Sequence, residues 1–123
     1  MILVSQRPEV EARQQWHLTD SVESEEWDLV LYVGEPADPG IPFRAILQEI
    51  VAQLSKTASC NLRLPPQQDR EDLVEGKIRW GNDSFEVYYE HSLGNLCLSS
   101  RDRPAIDRLW RDISSIVAIA PAG

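Results

Sequence analysis

The residues able to do chemistry are few. His17 and His91 are the only imidazoles, and Cys60 and Cys97 the only thiols, in a chain of 123 residues. Nucleophilic catalysis needs a serine or cysteine with a base in hydrogen-bond reach and a third group orienting that base. Glu90-His91-Ser92 places such types in succession, but neighbours on a strand point to opposite faces, so Glu90 cannot easily orient His91. His91 is expected at the edge of the core, hydrogen-bonded and inert, and His17 on the surface. A metal site wants three or four converging ligands, and these histidines and cysteines show neither finger nor ribbon spacing. Gly81-Asn82-Asp83 reads as a hairpin turn, and no Walker-type or dinucleotide-type glycine pattern occurs. Glu75, Glu86 and Glu90 fall on one sheet face, where paired carboxylates could serve glycoside or proton-transfer chemistry. On a flat, solvated sheet they read as ordinary surface charges. No cofactor, no metal and no catalytic residue is expected.

The charge balance narrows the partners. A formal net charge of −8 opposes direct nucleic-acid binding, which requires clustered Lys and Arg against phosphates. Seven acids and no base occur between Asp20 and Asp38: Asp20, Glu23, Glu25, Glu26, Asp28, Glu35 and Asp38. Such a run reads as a solvated loop; its functional reading is a patch that steers a basic partner, raising association rate more than affinity. Cys60 and Cys97 lie in apolar, strand-like surroundings and read as free thiols acting as small hydrophobes. Met1 to Ser5 is too short an apolar stretch for a signal peptide, and no run approaches the roughly 20 residues that span a bilayer. The cytoplasm is the expected compartment, with no membrane role.

With 42% apolar residues and four tryptophans, the chain has the makings of one globular domain over 1–123, with no repeat or linker to divide it. Trp27-Asp-Leu-Val-Leu-Tyr-Val33 is aromatic and β-branched and predicts a strand. The Pro/Gly-rich stretch Gly34 to Gly40 follows as a loop. Phe43, Ile46, Leu47, Ile50, Val51 and Leu54 recur at threes and fours, predicting an amphipathic helix over about 42–55 with Pro42 in its first turn. Ile106, Leu109, Trp110, Ile113, Ile116 and Val117 predict a second over about 103–118, started by Asp102 or Arg103 with Pro104. Its outer face carries Asp107, Arg108, Arg111 and Asp112.

Between the helices, Cys60, Leu62 and Leu64 alternate with polar residues until Pro65-Pro66 stops the strand. A meander over 73–100 follows. A turn at Asn82-Asp83, or over Gly81 to Ser84, pairs Trp80 with Phe85. One face then gathers Val74, Gly76, Ile78 and Trp80 against His91, Tyr89, Val87 and Phe85, with Gly76 opposite Tyr89. The other pairs Glu75 with Glu90, Lys77 with Tyr88 and Arg79 with Glu86. A turn at Gly94-Asn95 sets Leu93 opposite Leu96 and His91 opposite Leu98. Val10, Ala12, Gln14, Trp16 and Leu18 alternate with polar residues as an N-terminal strand. The expected fold is α+β: an antiparallel sheet of five or six strands with both helices on one face.

Phe85-Glu-Val-Tyr-Tyr-Glu-His-Ser-Leu-Gly-Asn-Leu-Cys-Leu-Ser-Ser100, with the strand from Val74, resembles hairpins in small acidic bacterial immunity proteins of toxin and contact-dependent inhibition systems. The resemblance implies a non-catalytic protein that binds one cognate toxin domain one-to-one and blocks it. From the residues themselves, the candidate partner-binding surface is Glu75, Lys77, Arg79, Glu86, Tyr88 and Glu90 on the outer sheet face, with Glu23, Glu25 and Glu26 of the acidic run. Tyr and Arg are the types that concentrate interface energy, and the carboxylates suit a basic protein partner. The alternatives are a secretion chaperone resembling the acidic, homodimeric type III class, and a small α+β regulatory module.

Overall fold

The computed structural model describes residues 2–17, 22–33, 43–66, 72–91 and 94–119, with backbone alone at 13–17 and 22–25. The elements run β1 (Ile2–Val4), β2 (Glu9–His17), β3 (Val22–Tyr32), α1 (Phe43–Leu54), β4 (Cys60–Arg63), β5 (Leu73–Trp80), β6 (Asp83–Glu90), β7 (Asn95–Ser100), α2 (Arg103–Ile113), a 3-10 turn (Ser114–Ile116) and β8 (Val117–Ile119). The fold is α+β. Six strands form one antiparallel sheet in the order β2-β3-β7-β6-β5-β4, and β1 pairs with β8 in a separate parallel ribbon.

Period-two alternation builds the core. Leu29, Leu31 and Val33 from β3 and its end, Leu96 and Leu98 from β7, Phe85, Val87 and Tyr89 from β6, and Val74 and Ile78 from β5 all point to one side. Phe43, Leu47, Ile50 and Leu54 of α1 and Ala105, Ile106, Leu109 and Ile113 of α2 close over them at helical spacing. Burying one such side chain contributes about 1.5–3 kcal/mol before chain entropy is counted. Polar tethers fix the helices on the sheet. Trp80 Nε1 donates to the Leu54 carbonyl at 3.0 Å, an acceptor at the end of α1 that the backbone N–H groups of Thr57 and Ala58 and the Thr57 hydroxyl also reach. Arg108 donates to both carboxylate oxygens of Asp83, at 3.0 and 3.1 Å, joining α2 to the start of β6.

Several expectations need correction. The β5–β6 turn is Gly81-Asn82, so Trp80 faces Asp83 and Ile78 faces Phe85. Gly81 has φ +58°, a conformation costly for other residues, and that freedom permits the tighter turn. The shift is by two residues, so every side chain keeps its face while its partner changes: Glu75 meets Tyr88, Lys77 meets Glu86, Arg79 meets Ser84, and Gly76 meets Val87. The next connection is longer than Gly94-Asn95. Leu96 faces Tyr89 and Leu98 faces Val87, while His91 has already left β6. Gly94, at φ +63°, returns its N–H to the His91 carbonyl at 3.1 Å. Leu93 lies outside the described residues.

The acidic run is not a loop over 22–32. β3 begins at Val22 because β2 offers a full-length antiparallel partner, from Glu9 opposite Val30 to His17 opposite Val22. Beyond Trp27, which faces Ser100, β3 pairs with β2 alone, so 13–17 and 22–26 form a two-stranded ribbon past the end of β7. Asp20, Glu35, Asp38, Pro42 and Leu18 lie outside the described residues. α2 stops at Ile113 rather than near 118. Ile116 and Val117 continue the apolar stripe, but Val117 enters β8 opposite Ile2, where β-branched residues serve a strand better than another helical turn.

Candidate functional site

The face of the sheet away from the helices is built by the alternate residues of the same strands, and the pairing arranges them in rows. One row runs Glu11, Asp28, Ser99, Glu86, Lys77, Arg63 from β2 to β4. A neighbouring row runs Glu9, Val30, Cys97, Tyr88, Glu75. On the other side, Glu26 meets Arg101 at 3.8 Å, and Arg79 faces both Ser84 and Asn61. The face therefore grades from carboxylates on β2 and β3 to cations on β5 and β4. Lys77 and Glu86, 3.7 Å apart and both well exposed, mark the boundary. An exposed pair of this kind contributes about 0–1 kcal/mol and does not hold the sheet together.

The acidic half has a firm floor. Asp28 and Ser99 are buried, and Ser99 Oγ donates to Asp28 Oδ1 at 2.6 Å. A short bond to a charged acceptor offsets the cost of taking Asp28 out of water. Val30, next along β3, is also buried. Crowding of acids shows in two groups. Glu11 has its pKa raised, first by desolvation and then by Glu9 and Asp28. Tyr32 is pushed up by desolvation and by the charges of Glu9 and Glu11.

At the other end, a shallow open depression of about 630 Å³ is lined by Asn61, Arg63, Lys77, Arg79 and Ser84. A smaller one of about 370 Å³ lies over Glu26, Glu86, Ser99, Arg101 and Asp102. Both are open to solvent.

The structure places Glu75, Lys77, Arg79, Glu86, Tyr88 and Glu90 together on this face, with Glu26 at its margin. Glu23 and Glu25 lie in the ribbon, opposite Trp16 and Gln14, and their side chains are outside the description. Glu9, Glu11 and Asp28 complete the acidic half, and Arg63 with Asn61 the basic end. The sequence signal for them was present as polar positions alternating with Val10, Leu29, Cys60 and Leu62; which strands are neighbours was missing. His91 sits at the end of β6, with Nδ1 3.1 Å from the Tyr89 hydroxyl and its backbone N–H donating to the Asp72 carbonyl. Tyr89 in turn stacks on Phe43 at 4.1 Å between centroids, so the pair caps the core edge. Glu90 belongs to the opposite face.

Neither Cys60 nor Cys97 is in a disulfide. They occupy opposite faces of strands three steps apart, about 14 Å, well beyond disulfide reach. Burial pushes the Cys60 thiol up. Among the described residues, no group of three or more His, Cys, Asp or Glu is placed to hold a metal, and no helix is long and apolar enough to cross a membrane. In comparisons with known proteins, no family model, curated protein or solved structure matches this chain.

Proposed function

We propose that this chain is a non-catalytic protein-binding domain of the immunity type, which docks one folded partner on the helix-free face of its sheet and neutralises a toxin by covering it. The observation that carries the reading is the row Glu11, Asp28, Ser99, Glu86, Lys77, Arg63. It lays a graded charge pattern across a surface held by six paired strands, with Tyr88 half-buried beside it. Fixed charges of this kind steer encounter and set orientation, and a half-buried tyrosine supplies contact area at low entropic cost. The acidic half selects a basic patch on the partner. The resemblance of Phe85 to Ser100 to immunity-protein hairpins suggests the toxin as partner.

Co-expression with each neighbouring gene product tests the reading. The expected result is a one-to-one complex that suppresses the partner's activity, weakens as salt rises, and is lost on Tyr88→Ala combined with Glu11→Lys. The helix-side change Arg111→Glu leaves it intact. Failure to form any such complex, or hydrogen-exchange protection confined to α1 and α2, refutes the proposal.

A further inference from the structure

The basic end of the face is at odds with the rest of the molecule. The chain has 12 basic residues against 20 acidic ones, enough carboxylates for every cation to find one. Yet Arg63 and Arg79 make no ion pair or side-chain hydrogen bond among the described residues, and both are exposed. Arg63 also lies directly opposite Lys77, and like charges directly opposite across a strand pair are destabilising. Arg79 follows Lys77 on the same face of β5, so three cations border one depression, with Asn61 and Ser84 as neutral hydrogen-bonding groups between them. Lys77 spends part of its charge on Glu86; the two guanidinium groups remain for a ligand.

We infer that this β4–β5 corner is an oxyanion site that receives the carboxylates of an acidic segment of the bound protein. The inference rests on the proposed docking face and adds that the partner must carry an acidic element beside its basic patch. Guanidinium groups take carboxylates in paired, planar hydrogen bonds, and two of them flanking an ammonium accommodate two adjacent carboxylates. An extended polyanion is disfavoured. Glu75 and Glu86 border the corner, and Glu11 and Asp28 lie further along the same row, so a nucleic acid following the face would meet carboxylates within a few strand spacings. A short run of acids ends before that.

Calorimetric titration of the full chain at low ionic strength with a short glutamate-rich peptide, inorganic phosphate and a single-stranded oligonucleotide tests the site without the cognate partner. The two proposals can therefore fail separately. The peptide should bind saturably at one site, and Arg63→Gln or Arg79→Gln should each weaken it about tenfold, as expected for loss of one charge-assisted contact. Arg111→Gln on the helix side should leave it unchanged. Absence of saturable binding, or an affinity unchanged from the parent chain in the Arg63 and Arg79 variants, overturns the site. Phosphate binding as tight as the peptide, or tighter binding of the oligonucleotide, overturns its assignment to an acidic protein segment.

Discussion

Alanine in place of Gly76 should destabilise the domain, although alanine is normally the better residue in a strand. A Cβ at this position would lie 2.5 Å from the Arg63 carbonyl oxygen and 2.5 Å from Leu64 Cδ2. The leucine methyl can rotate away. The carbonyl cannot, because Arg63 is the last residue of β4 and its register opposite Lys77 fixes the backbone there. Forcing extra volume into a packed site costs about 1–3 kcal/mol, and a backbone contact belongs at the upper end of that range. Against it stands a gain of about 0.4–1 kcal/mol from the less flexible unfolded chain. The net loss is about 2 kcal/mol. At about 4 °C per kcal/mol for a chain of this size, the melting midpoint should fall by about 8 °C. In urea, with m near 2 kcal/mol/M, the midpoint should fall by about 1 M with little change in m. Tryptophan fluorescence follows both transitions, since Trp80 sits at the junction of β5 and α1. Gly81→Ala is the control. A Cβ there would make only an ordinary van der Waals contact, 3.6 Å from Ala58 Cβ, but φ is +58°, so only left-handed strain of about 1–2 kcal/mol applies. Asparagine at 81 should cost less than alanine, whereas asparagine at 76 should cost more. A Gly76→Ala midpoint equal to or above that of the parent chain would mean that the end of β4 yields freely, and the placement of Arg63 beside Lys77 would lose its basis.

Trp80→Phe keeps most of the buried ring but removes the bond to the Leu54 carbonyl; a loss of about 1 kcal/mol is expected, with faster amide exchange in the last turn of α1. In a Cys97→Ser background, maleimide should label Cys60 with a rate whose pH midpoint lies above the ordinary thiol range, because burial disfavours the thiolate. Glu11 carries a folded-state pKa above its unfolded value. In the window just above the ordinary glutamate pKa the native state then holds more protons than the unfolded state, and stability falls as pH rises through it. Glu11→Gln should flatten that part of the stability–pH curve, measured by urea melts at stepped pH; an unaltered curve would show that the acids on β2 and β3 are not felt at this position.

How much of this was legible follows from which distances the chain encodes locally. The faces of β5, β6 and β7 follow from alternation alone, which is why Glu75, Lys77, Arg79, Glu86, Tyr88 and Glu90 do share a surface. Register is less local. It depends on which residues make the turn, Gly81-Asn82 or Asn82-Asp83 between β5 and β6, and Gly81 and Gly94 decide that through backbone angles that composition does not reveal. Helix α1 was legible because its stripe ends where its packing ends. α2 was overextended because Val117 satisfies both periodicities, and only its pairing with Ile2, far away in sequence, selects the strand. The site was half legible for the same reason. Glu11 and Arg63 are at opposite ends of one row, separated by five strand spacings and by about 50 residues of chain, and no local pattern relates them.

That separation bears on what the face can recognise. Five spacings of about 4.8 Å put Glu11 and Arg63 about 24 Å apart, longer than the screening length of about 8 Å at physiological ionic strength. The two ends therefore act on a partner as independent charges. A small ion meets one or the other, whereas a folded protein with a patch of each sign meets both and is fixed in orientation. The sheet makes this possible because Asp28, Ser99 and Val30 are buried between the ends, so the spacing belongs to a packed scaffold and not to mobile side chains. Reversing one end should consequently weaken binding while keeping the docked orientation, whereas exchanging the signs of both ends, as in Glu11→Lys with Arg63→Glu and Arg79→Glu, should abolish it. If the doubly exchanged protein still bound the same partner in the same pose, mapped by cross-linking from Cys97, charge arrangement would not be what the face presents.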